Sequence, residues 1–222
     1  MGRDDQPKDR QRQRLERKIN RRKPYDRLLI VCEGEKTEPN YFNEIRKRRR
    51  LSSVNVKVVH SDGTQPQKVV DSVDKYCNKN DNKWEKVFCV FDRDNHPNFT
   101  NAIKSAMSKD RKLKNDQGAE IRFCAIPSDP CFELWLLLHF EGITAAILGP
   151  DLLKRLKKEE YMPKYEKSEG DHFAKTENRL ETAYKNTSRL SQNREGSRVQ
   201  NPFTAVDEVV KALMELAEQS KS

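Results

Sequence analysis

No stretch of this 222-residue chain is long and apolar enough to span a bilayer, and its first residues lack the apolar core of a secretory leader. The expectation is a soluble, cytoplasmic protein with no membrane partner. Cysteine is sparse: the five residues Cys32, Cys77, Cys89, Cys124 and Cys131 stand apart, and none forms a C-x-x-C pair. Neither a zinc site nor a disulfide framework is indicated, and isolated thiols in apolar runs fit a reducing compartment. The chain carries no Walker-type phosphate loop. No internal repeat and no amphipathic basic helix for a lipid surface stand out.

What is present is charge. Mean hydropathy is −1.01 and charged residues make up 36%, which leaves a compact core under a heavily charged surface. Lys and Arg number 44 against 35 Asp and Glu, a net charge of +9, which suits a polyanionic partner and nucleic acid above all. Residues 1–27 hold eleven Lys or Arg against five acids, a surplus of six of the nine. With almost no apolar residues, 1–26 reads as a flexible basic arm whose Arg21, Arg22 and Lys23 suit phosphate backbone. A solubilising tail, or a contact with an acidic protein, is the plainer reading.

Two blocks carry the chemistry. Val31 to Phe42 (VCEGEKTEPNYF) and Val87 to His96 (VFCVFDRDNH) are apolar runs that stop abruptly at acids: Glu33, with Glu35 and Glu38 behind it, and Asp92-Arg93-Asp94. Strands ending this way put carboxylates at the rim of a sheet, where open α/β sheets bind ligands. Acids brought together from two strands repel unless a divalent cation lies between them, and hard Mg²⁺, or Mn²⁺, prefers oxygen ligands. The pattern points to metal-dependent phosphoryl transfer, with two cations about 4 Å apart able to clamp a phosphodiester. Gly34 lets the chain turn sharply after Glu33.

Periodicity supplies the frame. Leu28 to Cys32 is a continuous apolar run, Val54 to Val58 alternates, Trp84 to Phe91 is a third strand, and Ala119 to Ile126 a fourth. Between them fall helices: one capped at Thr37 with Tyr41, Phe42 and Ile45 inward, one over Val69 to Cys77, and one burying Phe99, Ile103, Ala106 and Met107. Strands alternating with helices predict a mostly parallel sheet covered on both faces, over residues 27–142. Ser128 to Gly142 reads as an apolar helix capped by Asp129 with Pro130 at its first position. Residues 143–222 read as a helical extension packed on the sheet: Pro150 to Lys158, His172 to Leu190, and a last helix opening at Asn201-Pro202 that buries Phe203, Val206, Val209, Val210, Leu213 and Leu216.

Four blocks in order, VCEGEKTEPNYF, FDRDNH, PCFELWLLLHFE and NPFTAVDEVVKAL, closely resemble the RloB family of bacterial proteins from about Lys23 onward. The resemblance implies a Toprim-like fold, with Glu33 as the Toprim glutamate and Asp92 and Asp94 as its metal-binding D-x-D. Glu38 matches the second acid of an E-G-x-T-E pattern, here E-G-E-K-T-E with one residue inserted. The implied activity is Mg²⁺-dependent nucleic-acid cleavage, on DNA or on an RNA such as tRNA. The implied setting is an anti-phage effector working with an ABC-type ATPase.

Around this centre, Glu133 is either a further metal ligand or a helix-terminal acid. Lys167 and Lys164 either steady transition-state charge on the phosphate or face solvent. Arg46, Arg48, Arg49 and Arg50 are candidates for nucleic-acid contact. His96 follows D-R-D-N closely enough to reach the pocket, His139 reads as a core histidine, and His60 and His172 have no pattern. The apolar last helix can dock on its own chain or on a second copy. Other readings of D-R-D are a sugar-nucleotide transferase or a haloacid-type phosphatase. A non-catalytic nucleic-acid-binding or regulatory subunit is the remaining alternative.

Overall fold

In a computed structural model, residues 25–77, 83–94, 96–192 and 201–221 are described. Arg21, Arg22 and Lys23 lie outside them. A five-stranded sheet runs in the order β2-β1-β3-β4-β5, with β1 Leu28–Cys32, β2 Val56–His60, β3 Lys86–Asp92, β4 Arg122–Asp129 and β5 Phe203–Thr204. All pairings are parallel except β4 with β5. This is the mixed α/β class, mostly parallel and consistent with a Toprim-like sheet, that the sequence indicates.

Alternate residues of the strands face two cores, as the twofold period of a strand demands. Leu28, Ile30, Cys32, Phe88 and Val90 point to one face. There they meet Tyr41, Phe42 and Ile45 of α1 (Thr37–Arg48) and the C-terminal helix α8 (Val206–Gln219). Leu29, Val31, Val87, Cys89 and Phe91 point to the other, against α2 (Pro66–Ser72) and α3 (Phe99–Lys109). Because β1 is covered on both sides, all five of its residues are buried.

The chain leaves β1 for β2 on one side and later returns past β1 to place β3 on the other. The order therefore reverses between β1 and β3, and a crevice opens outside their carboxyl ends. The parallel register sets Cys32 opposite Val90, so Glu33 and Asp92 emerge side by side at that crevice.

Several expectations are corrected. Ser128 and Asp129 do not cap a helix; they end β4, held by Asp92 on one side and by Thr204 and Phe203 on the other. The helix α4 that follows is short, Glu133–Leu137, and after Glu133 it is apolar all round because it is buried all round. β4 starts late because residues 113–121 fold into a turn, with Asn115 Oδ1 accepting the N–H groups of Gln117 and Ala119. Val54 is 64% exposed before β2, and Met107 is 66% exposed because α3 turns Phe99, Ala102 and Ala106 inward.

Thr37 is the first helical residue of α1 rather than its cap, and its hydroxyl donates to the Lys167 carbonyl at 3.2 Å. The expected helix from His172 splits into α6 (His172–Thr176), a 3-10 turn and α7 (Leu180–Gln192). The Thr176 hydroxyl bonds back to the His172 carbonyl at 2.8 Å, a contact that bends helices. Phe203 is buried in β5, and α8 opens at Val206. One further helix, α5, spans Gly149–Leu156. No helix among the described residues is long and apolar enough to cross a membrane.

Candidate metal and phosphate site

Five carboxylates, Glu33, Glu35, Glu38, Asp92 and Asp94, border a cavity of about 530 Å³ at the carboxyl ends of β1 and β3, with Glu35 exposed at its edge. Glu33 follows β1 directly. Its N–H donates to the Val90 carbonyl at 3.0 Å, and its Oε2 accepts the Asp92 N–H at 2.8 Å, so backbone pairing fixes both acids at once. Asp92 closes β3, and its Oδ1 is buried without a hydrogen-bond partner. Asp94 stands in the left-handed region at φ 34°, unusual for a non-glycine residue. Glu38 lies in the first turn of α1, where its carboxylate accepts the Gly34 N–H.

Gly34 is needed for a close approach. A Cβ there would stand 2.3 Å from Glu38 Oε2, which no real contact tolerates. Gly34→Ala therefore pushes the Glu38 carboxylate out of place. The expected outcome is a loss of about 10-fold in divalent-metal affinity, as when a ligand's support is removed. Melting should change by under about 1 kcal/mol. Calorimetric titration beside a thermal melt reads both.

Burial first, and mutual repulsion second, push these acids up. The Glu33 carboxyl rises to about 7, against the opposing hydrogen bond from Asp92. Asp92 is raised well above the usual range by burial and by the charges of Glu38 and Glu133. Glu38 and Asp94 are raised too, again chiefly by burial.

Lys167 reaches the same cavity from the loop before α6, which is tied to α1 by Thr37 and by Asn40 Nδ2 donating to the Ser168 carbonyl at 3.5 Å. Its ammonium lies 3.2 Å from Glu133 Oε1, and the Tyr165 hydroxyl donates to that same oxygen at 2.8 Å. Burial opposes ionisation of Glu133, but the charge of Lys167 and hydrogen bonds from Cys131 and Tyr165 outweigh it and hold the carboxyl low. Glu133, only 1% exposed, is thus the anchor of Lys167, one oxygen already doubly engaged. Tyr165, thirty-two residues from Glu133, is the partner that the sequence does not reveal.

The structure brings Glu33, Glu38, Asp92, Asp94 and Lys167 to one cavity, with His96 Nε2 3.5 Å from Glu33 Oε1. It does not bring the other basic candidates there. Lys164 is exposed outside the cavity lining. Arg48 and Arg49 close α1 at the end away from Glu38, about 15 Å along the axis. Both pair with Glu177 at 2.7 Å, and Arg49 also lies over the Phe173 ring. Arg46 donates to the Val56 carbonyl at 3.4 Å, while Arg50 is exposed.

A second group escaped the sequence reading. Glu169, Asp171 and His172 bring one ligand atom each within 4.8 Å of the others and can hold a metal ion. Their E-x-D-H spacing is the signal that was there to find. Lys175 already pairs with Glu169 at 3.0 Å and Asp171 at 2.8 Å. Among the described residues this is the one group so tightly drawn; the cavity carboxylates stand wider apart.

A family model described as RloB-like protein matches residues 28–213. The chain belongs to the RloB family. The matched span contains every residue of the acidic cavity, from Glu33 to Lys167, and excludes Arg21, Arg22 and Lys23. No curated protein and no solved structure matches the chain at a significant level.

Proposed function

We propose that this RloB-family chain is a metal-dependent, Toprim-type nuclease that hydrolyses phosphodiester bonds in nucleic acid, RNA such as tRNA or DNA. The observation that carries the reading is the buried, unpartnered Asp92 Oδ1 in a cavity shared with Glu33, Glu38 and Asp94 at the switch point of the sheet. An orphaned buried oxygen costs free energy unless a ligand satisfies it, and an all-oxygen donor set suits Mg²⁺ or Mn²⁺. Glu33, Asp92 and Asp94, with Glu38, would hold the ion. When bound, a divalent cation supplies positive charge to the phosphodiester oxygens and to an attacking water.

The chain's own groups divide the remaining work. Lys167, kept charged by Glu133 and braced by Tyr165 through that carboxylate, presents its ammonium to the anionic phosphate. His96 Nε2 lies 3.5 Å from Glu33 Oε1 and is placed to steady that carboxylate beside the ion. The +9 charge favours a polyanion, and the basic arm with Arg21, Arg22 and Lys23 extends the same attraction. By family resemblance the setting is a cytoplasmic anti-phage effector paired with a separate ABC-type ATPase.

One other reading is a nucleic-acid-binding or regulatory subunit without catalysis, which the net charge of +9 would serve by itself. Inducing the wild type and an Asp92→Ala/Asp94→Ala variant in cells, with and without the ATPase, and sequencing broken RNA and DNA ends decides between them. Cuts made only by the wild type support the nuclease. Intact nucleic acid with both proteins folded and triggered supports the binding subunit.

The raised acids also set a pH dependence. Between about pH 4.5 and 7 folded Glu33 keeps a proton that the unfolded chain has lost. The folded state binds more protons there, so stability falls as pH rises through that window and levels off above it. Metal-free protein should melt lower at the top of the window than at the bottom. Glu33→Gln should flatten that fall by about 1 kcal/mol, roughly 2–4 °C. Parallel melts across the window check it.

A further inference from the structure

Beside the acidic cavity lies a second one, of about 620 Å³, and Asp94 belongs to the walls of both. The two are different in kind. The first is bordered by carboxylates and Lys167. The second has apolar walls from Pro130, Ile147, Leu148 and Pro150, and a polar edge from Arg93, Asp129 and Asn201. A cavity of this size with mostly apolar walls and a few fixed polar groups is the usual form of a small-molecule subsite.

The polar edge is held in place. Asp129, nearly buried, accepts Arg93 Nη1 at 2.8 Å and Asn201 Nδ2 at 3.0 Å. Asn201 also clasps Ile147 twice, accepting its N–H at 2.7 Å and donating to its carbonyl at 2.8 Å. The loop carrying Ile147 and Leu148 is thereby fastened to the end of β4. The Arg93 guanidinium stays half-exposed while anchored, a planar cation fixed one residue from Asp94. At the mouth, Leu148 is 70% exposed, a large apolar side chain that the fold itself does not cover.

We propose that this second cavity binds a nucleoside unit of the substrate, the base and sugar next to the phosphodiester held at the acidic cavity. The inference rests on the nuclease reading. Continuity through Asp94 places the cavity where the chain of a nucleic acid leaves the phosphate. Apolar walls take the faces of an unstacked base, and a fixed guanidinium offers the stacking plane and donors by which single-stranded bases are recognised. Arg93 and the loop at 146–148 then set which part of a nucleic acid is cut, and a single-stranded or looped segment is favoured over a paired one.

The test is calorimetric titration of the full chain with Mn²⁺ present, using nucleoside 3′- and 5′-monophosphates, ribose 5-phosphate and a phosphorothioate-linked dinucleotide. Ala146 lines the cavity from an exposed position, so Ala146→Trp fills it with little risk to folding, and Leu148→Asp makes its mouth polar. The wild type should bind one of the mononucleotides at least about 10-fold more tightly than ribose 5-phosphate, about 1.4 kcal/mol. The dinucleotide should bind more tightly still. Both variants should lose the preference while retaining Mn²⁺ binding and the melting temperature.

Equal affinity for mononucleotide and ribose 5-phosphate in a wild type that binds Mn²⁺ overturns the subsite alone, as does an undiminished preference in both variants. A dinucleotide no tighter than a mononucleotide overturns the assignment to a nucleic-acid chain in favour of a free nucleotide. A wild type that binds no Mn²⁺ overturns the nuclease reading, and the subsite with it.

Discussion

Asp92→Asn is expected to abolish metal-dependent cleavage, by at least about 10³-fold, while leaving the chain folded. The side chain is isosteric, so β3 keeps its backbone register with β1 and β4, and Glu33 Oε2 keeps the Asp92 N–H. What changes is the carboxylate whose Oδ1 lies buried and unpartnered. An amide is a poor ligand for a hard cation and cannot restore the charge that draws the ion between the two strands. The same substitution removes a buried negative group that burial and the charges of Glu38 and Glu133 make costly to ionise. Without metal the variant should therefore melt no lower than the wild type. Cleavage assays beside metal-free melts separate loss of function from loss of fold. A variant that retains cleavage would remove Asp92 from the chemistry.

The largest effect on stability belongs to Trp135. It is fully buried in α4, its indole N–H donates to the Tyr41 hydroxyl at 2.8 Å, and its ring meets His139 edge-on at 4.7 Å. Trp135→Ala opens a cavity and strips Tyr41 of its donor, at a cost of about 4 kcal/mol. That is a large share of the roughly 5–15 kcal/mol that holds a typical domain folded. Trp135→Phe, which keeps an aromatic ring but no N–H, should lose about half as much. Urea unfolding with an unchanged slope checks both. Because α4 begins at Glu133, Trp135→Ala should also loosen the Glu133–Lys167 pair.

The parts of this molecule that the sequence announces are those written locally. Leu28 to Cys32 and Val87 to Phe91 are continuous apolar runs because helices cover their strands on both faces, and each run ends at an acid that borders the cavity. That made β1, β3, Glu33, Asp92 and Asp94 legible without a structure. The stretch from Ser128 to Gly142 was misread for the opposite reason. Its first two residues are extended by pairing with Thr204 and Phe203, more than seventy positions away, and nothing local signals that partner. The sequence around Glu133 fits a ligand and a helix-terminal acid equally, because Tyr165, which engages it, lies in a distant loop. The string from Arg46 to Arg50 looked like a surface for phosphate. Yet Arg48 and Arg49 are turned to Glu177 by a contact spanning about 130 residues.

The carboxylates at the ends of β1 and β3 are expected to hold a divalent cation. Crystals of the full chain soaked in Mn²⁺ and examined for anomalous scattering test it most directly. The expected result is a peak within about 2.5 Å of Asp92 Oδ1, with Glu33, Asp94 or Glu38 completing the oxygen shell, and its loss in Asp92→Asn. A manganese peak at Glu169, Asp171 and His172, with none beside Asp92, would contradict it.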